Sequence, residues 1–170
     1  MRENDQQVAA LARVLVSSID AAGDFIRESL QMPAHSLSVA QLLKYWDGML
    51  TAAVATSTAR GEPRVAPTGV ALYRGSLLVP TVVEAARTRA IRRRAAISVS
   101  RFDEGEIAII VHGQAAVIGR TEPLFSDLAS FHRHIRDGED VLRWKGTGVY
   151  LLVTPETVYT YARYPERFPS

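Results

Sequence analysis

The chain has no cysteine. That absence excludes disulfide scaffolds, Cys-ligated zinc, iron–sulfur clusters and thiol nucleophiles together. Charge of one sign is missing too: 20 Lys+Arg stand against 18 Asp+Glu, a formal net charge of +2. Any polyanion site must therefore be local rather than a property of the whole surface. No apolar run approaches the roughly 18 residues of a membrane span, and Met1-Arg2-Glu3-Asn4-Asp5 is too polar to open a signal peptide. A cytoplasmic protein without a membrane partner is the expectation. There is no P-loop, Gly-rich dinucleotide fingerprint, Ser-His-Asp motif, internal repeat or low-complexity segment.

What is present suffices for a core. The 170 residues are 47% hydrophobic and 22% charged, the composition of one globular domain. A chain of this length buries about 70% of its unfolded surface and needs no metal or disulfide to hold it.

The first part of the chain reads as helix. From Asp5 to Gln31, Val8, Leu11, Leu15, Ile19, Ala22, Ile26 and Leu30 recur at steps of three and four, the stripe of an amphipathic helix. Gly23 weakens it, and Met32-Pro33 stops it. Its polar face lacks the dense Lys/Arg of a membrane-surface helix, so packing, as a lid or a dimer arm, is the expected role. Ser38-Val39-Ala40-Gln41 has the form of a capping box and opens a second short helix ending near Asp47-Gly48.

Strands follow. Leu50 to Thr58, turn residues Ala59-Arg60-Gly61-Glu62, and Pro63 to Tyr73 form a hairpin. Arg74-Gly75 turns into Ser76–Pro80, and the cationic segment Glu84 to Arg94 has helical composition. Ile97–Phe102, the turn Asp103-Glu104-Gly105 and the long strand Glu106–Ile118 come next, then a surface helix over Thr121 to Arg136. Gly148 to Val153 and Thr157 to Tyr161 read as a last hairpin around Thr154-Pro155-Glu156. The fold class is α+β: an antiparallel barrel of six to seven strands with an N-terminal helical extension and inserted helices.

Three groups of residues invite a chemical role. Arg87, Arg89, Arg92, Arg93 and Arg94 crowd two helical turns; such a cluster is a solvated basic face or a site for an anion that relieves its repulsion. Arg87 and Arg94 share one face, and Arg89, Arg92 and Arg93 another. No aromatic is interleaved with them, which argues against nucleic acid. His132 and His134, two apart on a helix, do not face each other and make a poor metal site. His112 precedes Gly113 in the long strand, where glycine permits a bulge or a close backbone approach.

The order of three segments resembles the FMN-binding split barrels related to pyridoxamine 5′-phosphate oxidase. "MLTAAVATSTARGEPRVAPTGVAL" is similar to the family's opening hairpin, including Gly61, Pro63, Val65, Ala66 and Pro67. "TVVEAARTRAIRRRAAISVS" matches its Thr, Ser-Arg-Lys, basic helix and alternating strand, and "GVYLLVTPETVYTYARYPERF" its close. The resemblance, over Ser38 to Phe168, implies an N-terminal helical extension over 1–37 and a flavin-binding split-barrel domain over 38–170. It implies that Arg64 and Arg87 pair with the flavin phosphate, an Arg at 87 gripping phosphate oxygens where the family has Lys. It also implies that Thr81 reaches the cofactor, that Val65, Ala66, Pro67 and Thr68 lie beneath the ring system, and that Tyr161 approaches from the partner subunit of a homodimer. Ala85 and Ala108 depart from the family's Ser and Gln. Arg167-Phe168-Pro169 stands where the oxidases carry Arg-x-His to hold substrate. The implied activity is thus an oxidoreductase using FMN or a deazaflavin on an unidentified small molecule, rather than vitamin B6 oxidation. The alternative is a flavin- or heme-binding carrier or sensor on the same fold. The sequence names no catalytic residue and no metal ligand.

Overall fold

The computed structural model describes residues 3–136 and 146–168. Helix α1 (Asp5–Ala21) opens on a capping box between Asn4 and Gln7. It is shorter than the apolar stripe suggests: Ala22 leaves the helical region, and Gly23 becomes the N-cap of α2 (Asp24–Ser29) rather than a weak point within one helix. Arg27 folds back over the break, its Nε and Nη2 donating to the carbonyls of Ala22 and Asp20 at 2.8 Å each. Orphan carbonyls at a helix end are satisfied this way by a nearby cation. The Ser38–Gln41 capping box forms as expected and starts α3 (Val39–Tyr45).

Six strands follow among the described residues: β1 (Met49–Ser57), β2 (Pro63–Tyr73), β3 (Ser76–Val82), β4 (Ala96–Asp103), β5 (Ile107–Ile118) and β6 (Gly148–Ala162). They close into an antiparallel barrel in the order β1-β2-β3-β6-β5-β4. The fold class expected from the sequence is therefore the one observed. Helix α4 (Ala86–Arg93) links β3 to β4, and α5 (Phe125–Ile135) follows β5.

The expected last hairpin is one continuous strand. Thr154-Pro155-Glu156 does not reverse the chain; along β6 the pairing shifts from Thr157↔His112 to Pro155↔Gly113, so Glu156 is the extra residue of a β-bulge. A bulge tolerates the missing amide of Pro155. Gly113 is where the strands come closest: a Cβ there would collide with the Thr154 carbonyl oxygen and stand 3.0 Å from its carbon and 3.2 Å from Pro155 Cα.

Two apolar clusters hold the fold. Inside the barrel, Val54, Val79, Val99, Ile109, Leu151 and Val158 meet Leu11 and Leu15 of α1, Leu42 of α3 and Trp46. Trp46 donates from Nε1 to the Val70 carbonyl at 3.1 Å, so its one polar atom is paired in the core. Ser18 bridges α1 to the bulged strand, donating to Val14 O at 2.6 Å and accepting from Val158 N at 2.9 Å. Outside the barrel, Phe125, Leu128 and Ala129 of α5 cover Ala71, Tyr73, Leu78 and Tyr150. Helix α5 is thus half in the core rather than a surface helix, and the paired histidines part: His132 is buried at 3% exposure while His134 is open to solvent. No described helix is long and apolar enough to cross a membrane.

Candidate functional site

The barrel has a seam. Strand β2 pairs with β1 from Pro63 to Ala71, but its ladder to β3 contains only Ala71↔Leu78, Leu72↔Leu77 and Tyr73↔Ser76. The segment Pro63 to Val70 therefore presents an edge with backbone donors and acceptors not consumed by β3. Arg64, Ala66 and Thr68 share the face of Thr56, Val54 and Ala52 across the ladder, whereas Val65 and Pro67 face outward. Val65 is 69% exposed. Arg64 is exposed too, and its guanidinium sits 3.3 Å from Glu62. Glu62 in turn is 3.2 Å from Arg60.

Near the end of β3, the buried Thr81 precedes the turn into α4. Thr88 Oγ1 donates to Val82 O at 2.7 Å and ties the first turn of α4 to the strand end. That helix has Ala85 at its N-cap and no side-chain cap, so its first amides have no partner of that kind. Arg89 turns back onto the Glu84 carbonyl. Arg92, Arg93 and Arg94 are exposed. Arg87 differs from its neighbours: Nη1 is buried and without a hydrogen-bond partner, and burial alone pushes its pKa down. A guanidinium nitrogen held out of water with an open donor is what a bound anion would complete.

The expected site residues fall into two groups. Arg64 to Thr68, Thr81 and Arg87 flank the seam, on β2, on β3 and at the start of α4. Tyr161 is elsewhere, on the stretch of β6 that pairs only with β5, opposite Ala108. Its ring stacks on His35 at 5.6 Å and 14°, and His35 Nδ1 is 2.9 Å from Ala162 O. The C-terminal Arg167 lies over the Tyr164 ring at 4.0 Å, and Gln41 Nε2 donates to Pro165 O and Phe168 O at 2.9 and 2.6 Å. Pro169 lies outside the described residues.

Two polar pairs escaped the sequence. Ser98 Oγ is 2.7 Å from His112 Nδ1, and Gln114 Nε2 donates to Glu156 at 3.1 Å. The first was within reach: a tight turn at Glu104-Gly105 sets Asp103 opposite Ile107 and hence Ser98 opposite His112. The second depends on the bulge. Among the described residues no group of three or more His, Asp or Glu is placed to hold a metal.

Seam, closed antiparallel barrel and basic helix together define a class: small six-stranded barrels with an open strand edge beside a basic helix. The sequence pattern of the pyridoxamine 5′-phosphate oxidase family matches residues 40–162, and the chain belongs to that family. Solved structures share the fold. A conserved hypothetical protein of Mycobacterium tuberculosis superposes with a TM-score of 0.67 at 15% identity, over 81% of this chain and 92% of that one. A protein described as an F420 reductase gives 0.55 at 19% identity, over 66% of this chain and 91% of its own. A pyridoxamine 5′-phosphate oxidase-related, FMN-binding protein of Nostoc punctiforme gives 0.53 at 14% identity, over 65% and 72%. A search of curated proteins finds no match.

Proposed function

We propose that the chain is an oxidoreductase that holds FMN, or a deazaflavin in its place, along the seam between β2 and α4. The observation that carries this is the buried, unpartnered Nη1 of Arg87, set beside an uncapped helix start and a free strand edge. Helix N-termini and guanidiniums are the two commonest protein answers to a phosphate. Residues 38–170 form the cofactor-binding unit, and residues 1–37 are an extension whose α1 plugs the barrel. When bound, a flavin or deazaflavin supplies the hydride chemistry. The chain supplies the rest: Arg87 and Arg64 anchor the phosphate, the β2 backbone from Val65 to Thr68 orients the ring system, and Thr81 closes the floor. An absorbance spectrum of the purified protein, with the mass of the released cofactor, tests this and separates FMN from deazaflavin and from heme.

Arg87→Ala and Arg64→Ala are expected to weaken FMN binding by about tenfold to a hundredfold, the loss of a charge-assisted contact of roughly 1.5–3 kcal/mol. Because neither guanidinium supports the core, the thermal midpoint without cofactor should barely move. Titrations unchanged in both variants would reject the phosphate assignment.

The outer face of the sheet supports a homodimer. One ladder row across five strands runs Pro67, Ala53, Ser100, Ile110, Tyr159, without a charge, and Phe102 in the next row is 62% exposed. Symmetric dimers bury such a patch against its own copy, and Tyr161, opposite Ala108 on that face, would then reach the partner's cofactor. Sedimentation at micromolar concentration should give a dimer; a monomer with cofactor bound would overturn this.

Pyridoxamine 5′-phosphate is expected to be a negligible substrate. Arg167 is engaged with Tyr164, and Pro169, where the oxidases carry His, offers neither an imidazole nor a hydrogen-bond donor. A poorly held reacting carbon loses about 10²-fold for a misplacement of about 1 Å. Turnover near about 1 s⁻¹ with saturating FMN, an ordinary enzyme rate, would restore the oxidase activity.

A further inference from the structure

A second polar cleft, not lined by Arg87, lies one ladder row below the apolar row of the outer face. Ser98 on β4 and His112 on β5 are directly opposed, with Oγ 2.7 Å from Nδ1. The ladder between β1 and β4 ends at Ala55↔Ser98, so the strands part at this serine. The opening is about 340 Å³ and is walled by the ends of β1 and β4, the Gly61–Pro63 turn and the bulge at Gly113. Glu156, pushed out of β6 by the bulge, is the one ionised group among the described residues that line it. No Lys or Arg does, so the cleft suits an uncharged ligand rather than the phosphate expected at Arg87.

We propose that Ser98 is a nucleophile activated by His112, and that this cleft takes small uncharged esters. A hydroxyl is a weak nucleophile until a base stands within about 2.6–3.2 Å of it, and the observed contact meets that condition. With its proton on Nε2, the imidazole accepts the Ser98 proton at Nδ1 while Oγ forms a bond to the ester carbonyl carbon. The bond from that carbon to the leaving oxygen then breaks, and the alcohol departs with the proton held by His112. Water attacks the acyl-Ser98 ester, gives its proton to His112, and the carboxylic acid leaves as Ser98 recovers its own.

The test uses p-nitrophenyl acetate and a fluorophosphonate probe on the full chain, with and without FMN, so that failure of cofactor binding leaves the result readable. The expected result is one covalent adduct per chain, mapped to Ser98, absent in Ser98→Ala and formed at least about 10²-fold more slowly in His112→Gln. Circular dichroism checks that both variants fold. An unlabelled Ser98, an adduct elsewhere, or a wild-type rate in His112→Gln would each overturn the proposal.

Discussion

Gly113→Ala is expected to destabilise the fold by at least about 3 kcal/mol, at the upper end of what overpacking by a single methyl costs. The methyl would be driven into the Thr154 carbonyl, with Pro155 Cα at 3.2 Å behind it. These are backbone atoms, so no side chain can rotate away. Nor can the strand yield cheaply. Thr154 and Pro155 are held in the ladder to β5, opposite Gln114 and Gly113, and the ladder to β3 begins next to them at Val153↔Leu77. Relief requires moving the bulge, and sliding the register by one residue would turn Val158 and Thr160 from the inner face to the outer. Urea unfolding measures the loss, with Gly61→Ala as a contrast. Gly61 has a positive φ of 85° but nothing within 4 Å of its missing Cβ, so its cost is backbone strain alone, about 1 kcal/mol. Equal midpoints for Gly113→Ala and the wild type would show that the close approach is relieved without penalty.

The same stretch of chain shows what the sequence could and could not convey. Alternation of burial along β1 and β5 is strong because one face of each is buried, and those strands and β2, with their turns, lie within a residue or two of where the sequence puts them. The Ser38–Gln41 box was equally readable, since capping is local chemistry. Thr-Pro-Glu carries the same local signal whether the chain reverses or merely bulges. Only the partner strand decides, and it lies some forty residues away along the chain, at Gly113. The helix break at Ala22-Gly23 was hidden for a different reason. The apolar stripe continues through it, and the residue that stabilises the break, Arg27, acts through carbonyls that a sequence pattern does not display. Site residues divide likewise. Arg87 stands out in sequence as one of five arginines, yet only burial separates it from the exposed Arg92, Arg93 and Arg94. Tyr161, whose expected role depends on a second chain, stacks on His35 within this one.

Acid is expected to destabilise the protein through His132, a residue whose sequence context suggests a surface position. Its ring is 3% exposed, stands edge-on to Tyr150 at 5.6 Å, and has Nδ1 3.2 Å from the Tyr150 hydroxyl. Burial first, and the charge of Arg136 second, push its pKa from 6.5 down to about 4. In the unfolded chain the imidazole takes a proton near pH 6.5, whereas in the folded chain it resists until about pH 4. Protons therefore bind the unfolded state more readily throughout that window. The stability associated with a neutral His132 is complete above pH 6.5, declines as the pH falls, and is gone below about 4. The difference amounts to about 2 kcal/mol by pH 5 and about 3 kcal/mol in full. His132→Gln, which keeps a polar group beside Tyr150 but cannot titrate, is expected to start from a lower stability at pH 8 and to lose less on the way down. The quantity to measure is the difference between the two proteins' unfolding free energies at pH 8, 6.5, 5 and 4, because the carboxylates titrate alike in both and cancel. That difference should shrink by about 2 kcal/mol between pH 8 and 5; a constant difference would place the acid sensitivity in the carboxylates and not in this buried ring.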